Sequence, residues 1–360
     1  MREGMKQRGV DLLLVYGDSW KYGHLAYLTH FIPKNRGALA VIPLAGEPAL
    51  VIQEPSRNNP FSSTLTWIQE VHSVGKLAQG VSTALKSRAL KPKRVGLVSV
   101  EEQLNIREWR ELSELFEDIG SHGMAEHATG LRHAKAPLEI SLLTETTHIL
   151  EQALTRFEQT ARPGRTEYEV TAEIEREARR RGVEDFRLLL ARSATPGIGL
   201  RPPAHSTFGP GEQVLILIAA SYQRYWSELG ETFCFGAPAK HMAASYEIAT
   251  QVFERLLQNV RVGAALPTAE ACLNGLASPA ARKSFQAYGL ANGVGLDLTE
   301  APELGRGPDG ALQPGTTLTL RACMTGQESG SALISRPYLA TETGLQPMAS
   351  RPYRLVSLGG

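Results

Sequence analysis

The chain has 360 residues, 42% of them hydrophobic and 21% charged, with 38 Lys and Arg against 37 Asp and Glu and a formal net charge of +1. That is the composition of a globular protein long enough for two domains. The even charge balance removes the electrostatic case for nucleic acid or a polybasic membrane surface as a partner.

No apolar run approaches the roughly 20 residues of a bilayer-spanning helix. The polar opening Met1-Arg2-Glu3-Gly4-Met5-Lys6 is not expected to be a signal peptide. The cysteines are Cys234, Cys272 and Cys323. An odd set without a Cys-x-x-Cys pair predicts neither a disulfide framework nor a zinc–cysteine site, and implies a reduced, cytoplasmic protein.

In chain order, residues 10–16 form an apolar run between Gly9 and Gly17, a buried-strand signal. Strands are predicted over 37–43, 48–52 and 95–100, with a helix over 76–85 between them. Strands alternating with helices indicate an α/β domain. Pro137 suits a first helical turn, and helical spacing runs from Leu138 to Thr160. Thr166 and Glu169 have the spacing of a capping box for a helix over 168–181, with Gly182 as its stop. Strands follow over 213–220 and 224–235, then a helix over 243–260. The segment from Arg162 to Glu167 has an echo in Arg261-Val262-Gly263 and Pro267-Thr268-Ala269-Glu270, which suggests two related halves.

The order of segments resembles the creatinase/aminopeptidase P family, the pita-bread fold. The resemblance rests on Tyr27-Leu28-Thr29, the stretch 131–140, the hairpin strand 225–233, the stretch Gly293-Val294-Gly295-Leu296-Asp297-Leu298-Thr299-Glu300-Ala301-Pro302, and the segments 314–320 and 341–344. It implies an N-terminal α/β domain over 1–131. A C-terminal pita-bread α+β domain with pseudo-two-fold halves follows over 132–360. A homodimer is expected as well.

Peptidases of this family hold two divalent ions with two aspartates, a histidine and two glutamates. By the resemblance those positions fall on Leu217, Glu228, Asn292, Arg321 and Ser335. Glu228 alone is a strong ligand, so no metal and no other cofactor is expected. The resemblance instead assigns His205 as a proton-transfer group and Glu228 as its partner, with Arg321, Asn292 and Tyr225 binding substrate. Pairing of Glu228 with Arg321 is an open alternative. Glu231, which alternates away from Glu228, is expected to face solvent. Cys323 is expected to be buried and inert. Trp20, Tyr22 and His24 read as a surface loop, and 305–310 as a glycine-rich turn that is not a phosphate loop.

Creatine itself is not expected as a substrate, because the corresponding creatinase positions fall on Gly230, Arg321 and Leu296. The functional expectation is a metal-independent hydrolase acting on a C–N bond of a small amino-acid-like, amide or amidine molecule. The alternatives are an inactive pita-bread domain that binds peptide or protein, and a lyase or cyclase on the same fold.

Overall fold

A computed structural model describes residues 1–194, 198–304, 311–326 and 330–359. The glycine-rich turn at 305–310 lies outside the described residues. The chain divides into two compact units, Met1–Arg132 and His133–Gly360.

In the first unit, strands β1 (Leu12–Gly17), β2 (Ala38–Pro43), β3 (Ala49–Gln53), β4 (Glu70–Val74), β5 (Arg94–Val98) and β6 (Asp118–Gly120) form one sheet. Their order is β4-β3-β2-β1-β5-β6. The helices are α1 (Arg2–Gln7), α2 (Gly23–Thr29), α3 (Asn59–Ser62), α4 (Leu77–Ser87), α5 (Val100–Gln103), α6 (Ile106–Ser113) and α7 (Met124–His133). β1 pairs antiparallel with β2 and parallel with β5. Leu13, Val15 and Ala40 face Leu25 of α2 and Met124 of α7. Leu12, Leu14 and Val51 face Leu77, Val81 and Ala84 of α4. Helices on both faces explain why these strands read as unbroken apolar runs. α4 lies close on the sheet: a Cβ at Gly80 would come within 2.3 Å of Val51.

The second unit holds helices α8 (Pro137–Thr160), α9 (Glu167–Arg180), α10 (Lys240–Asn259), α11 (Ala269–Leu273) and α12 (Pro279–Tyr288). Its strands are β7 (Asp185–Arg192), β8 (Gln213–Tyr222), β9 (Tyr225–Phe235), β10 (Ala291–Gly293), β11 (Glu300–Glu303), β12 (Thr317–Met324), β13 (Ala332–Thr341), β14 (Gly344–Pro347) and β15 (Val356–Leu358). They form a nine-stranded sheet in the order β11-β10-β12-β13-β9-β8-β7, with β14 beside β13 and β15 beside β9. α8 and α9 pack on the β7–β9 half, and α10 to α12 on the β10–β13 half.

The sequence echo marks this division. Thr166 caps α9 by accepting from Glu169 N–H, and Thr268 caps α11 by accepting from Ala271 N–H. Gln223 and Arg224 both have positive φ, the conformation of a two-residue hairpin turn, and so set the register of β8 against β9.

Candidate functional site

Strand pairing sorts the side chains of the second unit between two faces, because paired residues share a face and successive ones alternate. On β8 and β9, the pairs Leu217–Gly230 and Ala219–Glu228 share one face, and Ile216–Glu231 and Ile218–Leu229 the other. The latter, outer face packs under α8 and α9 through Val214, Ile216, Ile218, Leu229 and Phe233. On the inner face, Leu215 and Leu217 meet Ala191, Leu200, Tyr288, Cys323 and Leu333. On β12, Leu318, Leu320 and Ala322 pack outward against α10 and α12. Thr319, Arg321 and Cys323 therefore point inward. Ser335 sits between Arg321 on one neighbouring strand and Gly230 on the other.

This register gathers Glu228, Asn292, Arg321 and Ser335. Arg321 Nε and Nη2 donate to Glu228 Oε1 at 2.9 and 2.6 Å. Ser335 Oγ donates to the same oxygen at 2.7 Å. Arg321 Nη1 donates to the Tyr288 carbonyl at 3.0 Å, and Nη2 reaches Asn292 Oδ1 at 3.4 Å. Asn292 Nδ2 in turn donates to the carbonyls of Gly293 and Leu298. The Glu228 side chain is 6% exposed and that of Arg321 11%. Thr319, two residues before Arg321, was not singled out from sequence, although strand alternation puts both on one face. Its Oγ1 is sealed and has no hydrogen-bond partner among the described residues. Burial pushes the Cys323 thiol well above the ordinary thiol range, so it stays protonated and inert.

The expectation for Glu231 is corrected, and two of the predicted site residues, His205 and Tyr225, lie apart from this cluster. His205 does not join this cluster. It is exposed, and its ring lies 6.2 Å from that of Tyr168 on α9, a helix on the outer face. Its loop is held there by Glu167, which accepts from Arg201 and from Ala204 N–H, while Leu200 is the loop residue that reaches the inner face. Tyr225 also belongs to the outer face, and its hydroxyl donates to Glu139 of α8 at 2.9 Å. Glu231 does alternate away from Glu228, but it is buried at 2% exposure instead of solvent-facing. Arg336 Nη2 and Arg351 Nε donate to it at 2.5 and 2.6 Å, because the C-terminal segment covers that face. In the first unit, Trp20 is exposed, whereas Tyr22 is buried at the start of α2, which departs from a simple surface loop.

The dinuclear centre implied by the resemblance does not fit these residues. Of the five positions, Glu228 alone is a carboxylate, and a permanently charged guanidinium donates two bonds to it. Divalent ions need several oxygen or imidazole donors, and a fixed cation among them repels a second charge. Among the described residues, no group of three or more His, Cys, Asp or Glu is placed to hold a metal ion. Also among them, no helix is long and apolar enough to cross a membrane.

Comparison with known proteins places this arrangement in a family. Residues 141–342, more than half of the chain, match metallopeptidase family M24. An uncharacterized peptidase of Bacillus subtilis, YqhT, is 21% identical over 360 residues, covering 99% of each chain. An Xaa-Pro dipeptidase of Pyrococcus furiosus is 22% identical over 262 residues, covering 71% of each. In fold, the chain is similar to the prolidase of Pyrococcus horikoshii, with a TM-score of 0.82, 19% identity, and coverage of 99% of this chain and 98% of that one. An Xaa-Pro dipeptidase from Bacillus anthracis gives 0.81 at 20% identity with the same coverage. The architecture is the pita-bread fold, and the chain belongs to metallopeptidase family M24, a family of hydrolases.

Proposed function

We propose that this protein keeps the fold of its peptidase relatives without their two-metal chemistry, and that it binds a small peptide-like or amino-acid-like molecule on the inner face of the second unit. One observation carries the reading. The single carboxylate at the expected ligand positions is bonded to Arg321 and Ser335, so the positive charge there is a guanidinium of the chain itself. The relatives' names as Xaa-Pro dipeptidases support the ligand class. The histidine expected to move protons is an exposed loop residue whose ring contact is with Tyr168, which gives no support to a catalytic reading at Glu228.

A metal-independent hydrolase is the second reading. Membership of a hydrolase family favours it, as does an oxygen of Glu228, Oε2, that accepts no hydrogen bond from the described residues and so is left for a substrate group.

One experiment separates the outcomes. The purified protein is incubated with Mn, Co or Zn ions, desalted and analysed for metal, and Gly-Pro hydrolysis is followed with and without chelator. We expect no stoichiometric metal and no turnover. Turnover that survives chelation supports the metal-independent hydrolase. Retained metal with chelator-sensitive turnover overturns both readings. We also propose a cytoplasmic homodimer, and a single-chain mass by light scattering would reject the dimer.

A further inference from the structure

On the inner face one charged polar atom is left unused and within reach of solvent. Glu228 Oε1 accepts three hydrogen bonds, from Arg321 Nε, Arg321 Nη2 and Ser335 Oγ. Oε2 accepts none from the described residues and, unlike Thr319 Oγ1, is not sealed from solvent. A carboxylate oxygen has two lone pairs to satisfy, and on a side chain only 6% exposed water can meet them only in part. The atom calls for a donor supplied from outside the chain.

Charge narrows what that donor can be. Glu228 and Arg321 together are neutral, so a bound cation would be an unmatched charge among buried groups. An anion would meet Oε2 itself and be repelled. The inner face also carries Arg187, which lies 3.9 Å from Asp185 and 4.7 Å over the Trp226 ring, so this second pair is matched in charge too. Leu215, Leu217 and Leu333 on the same face are apolar, and the surroundings favour an uncharged ligand.

We propose that Glu228 Oε2 is the anchor for a neutral N–H group, a carboxamide or peptide amide, with Arg321 and Ser335 fixing the carboxylate that receives it. This rests on the ligand-binding reading above and names the group that is bound. Arg321 and Ser335 act as positioning residues: they hold Oε1 so that Oε2 stays presented.

The test compares three small probes on the whole wild-type protein by ligand-observed NMR titration. These are acetamide, acetate and acetamidinium, three probes of nearly the same shape that present an amide, a carboxylate and a cation. The amide is expected to bind at least about tenfold more tightly than the other two, the size of one hydrogen bond to a charged group. Absence of amide binding, or equal affinity for all three, overturns the proposal.

A second arm uses the double variant Glu228→Leu/Arg321→Met. It removes both charges together and so avoids stranding either one. Its thermal melt reports folding, and its amide affinity is expected to fall about tenfold. A folded double variant with wild-type amide affinity also overturns the proposal. The probe comparison on wild-type protein decides the question without the variant. Metal analysis of the same preparation keeps the two claims apart. Stoichiometric metal rejects the ligand-binding reading, whereas metal-free protein with no amide preference rejects only the anchor.

Discussion

Glu228 and Glu231 lie on the same strand, both buried and both paired with arginine, yet they point to opposite faces of one sheet. On the outer face, Glu231 receives Arg336 and Arg351. Arg351 continues to Glu158 of α8, and Glu151 of the same helix accepts from Ser350 Oγ and from Arg351 N–H. This network ties the C-terminal segment to α8 and β9. On the inner face, Glu228 gathers Arg321 and Ser335 and, among the described residues, reaches no helix side chain. Each carboxylate leaves Oε2 without a partner among the described residues, but that of Glu231 is sealed in the protein whereas that of Glu228 is not, so the inner pair alone can offer its oxygen to a ligand. What differs is what covers each face, not the residue types.

Removing the outer carboxylate is expected to have the largest effect. Glu231→Leu strands two arginines, one of them almost wholly buried, and should cost about 3–5 kcal/mol of unfolding free energy by urea titration. A loss below about 1 kcal/mol would mean that the carbonyls of Gly230 and Ser335, to which Arg336 also donates, suffice to hold it.

Acid should expose the same asymmetry through a second outer-side cluster. Burial alone would raise the pKa of Glu167, but hydrogen bonds from Arg201, Arg192 and Ala204 N–H outweigh it and hold the carboxyl at about 2, below the ordinary 4.5. A folded value below the unfolded one gives stability that is complete above about pH 4.5 and lost as pH falls toward 2. The shift corresponds to on the order of 3 kcal/mol. Stability curves of wild type and Glu167→Gln should therefore converge over this window. Curves that stay parallel would remove Glu167 as the source.

The inner pair should respond more weakly. Arg321→Met leaves Glu228 with the Ser335 hydroxyl and an oxygen open to water, so the expected loss is about 2 kcal/mol. The double change Glu228→Leu/Arg321→Met should return to within about 1 kcal/mol of wild type, since two matched buried charges disappear together. A double variant as unstable as the worse single one would make the inner pair cohesive, like its outer counterpart, and erase the distinction.

The sequence carried the faces of β9 but not what covers them. Alternation along residues 225–235 is enough to separate Glu228 from Glu231, and the spacing of segments is enough to bring Asn292, Arg321 and Ser335 toward Glu228. The burial of Glu231 was not legible, because it depends on Arg336 and on Arg351 far along the chain. The position of His205 was not legible for a related reason. It lies in a loop whose path is set by Arg201 and Ala204 bonding to Glu167 and by pairing of Thr207 with Thr166. A loop has no periodicity that fixes its register. The helix caps, by contrast, depend on residues three apart, and both Thr166 and Thr268 stand where a local pattern can find them.

The smallest expected effect tests whether the outer-side cluster depends on its local frame. Thr166 precedes Glu167, the first residue of α9, and its hydroxyl accepts from Glu169 N–H at 3.2 Å. Thr166→Ala removes that bond and the one the hydroxyl donates to Glu169 Oε2 at 3.0 Å, but keeps the reciprocal one, in which the Glu169 carboxylate accepts from Thr166 N–H at 2.8 Å. Half of the capping box survives, so the loss should be about 0.5–1 kcal/mol, at the low end for N-cap replacement. Because α9 packs on the outer face, amide affinity at Glu228 should not change. A loss near that of Glu167→Gln would instead mean that the cap positions Glu167 for its arginines, so that the cluster and the helix start form one cooperative unit. A double-mutant cycle between Thr166→Ala and Glu167→Gln separates these outcomes, since independent sites add and a shared unit does not.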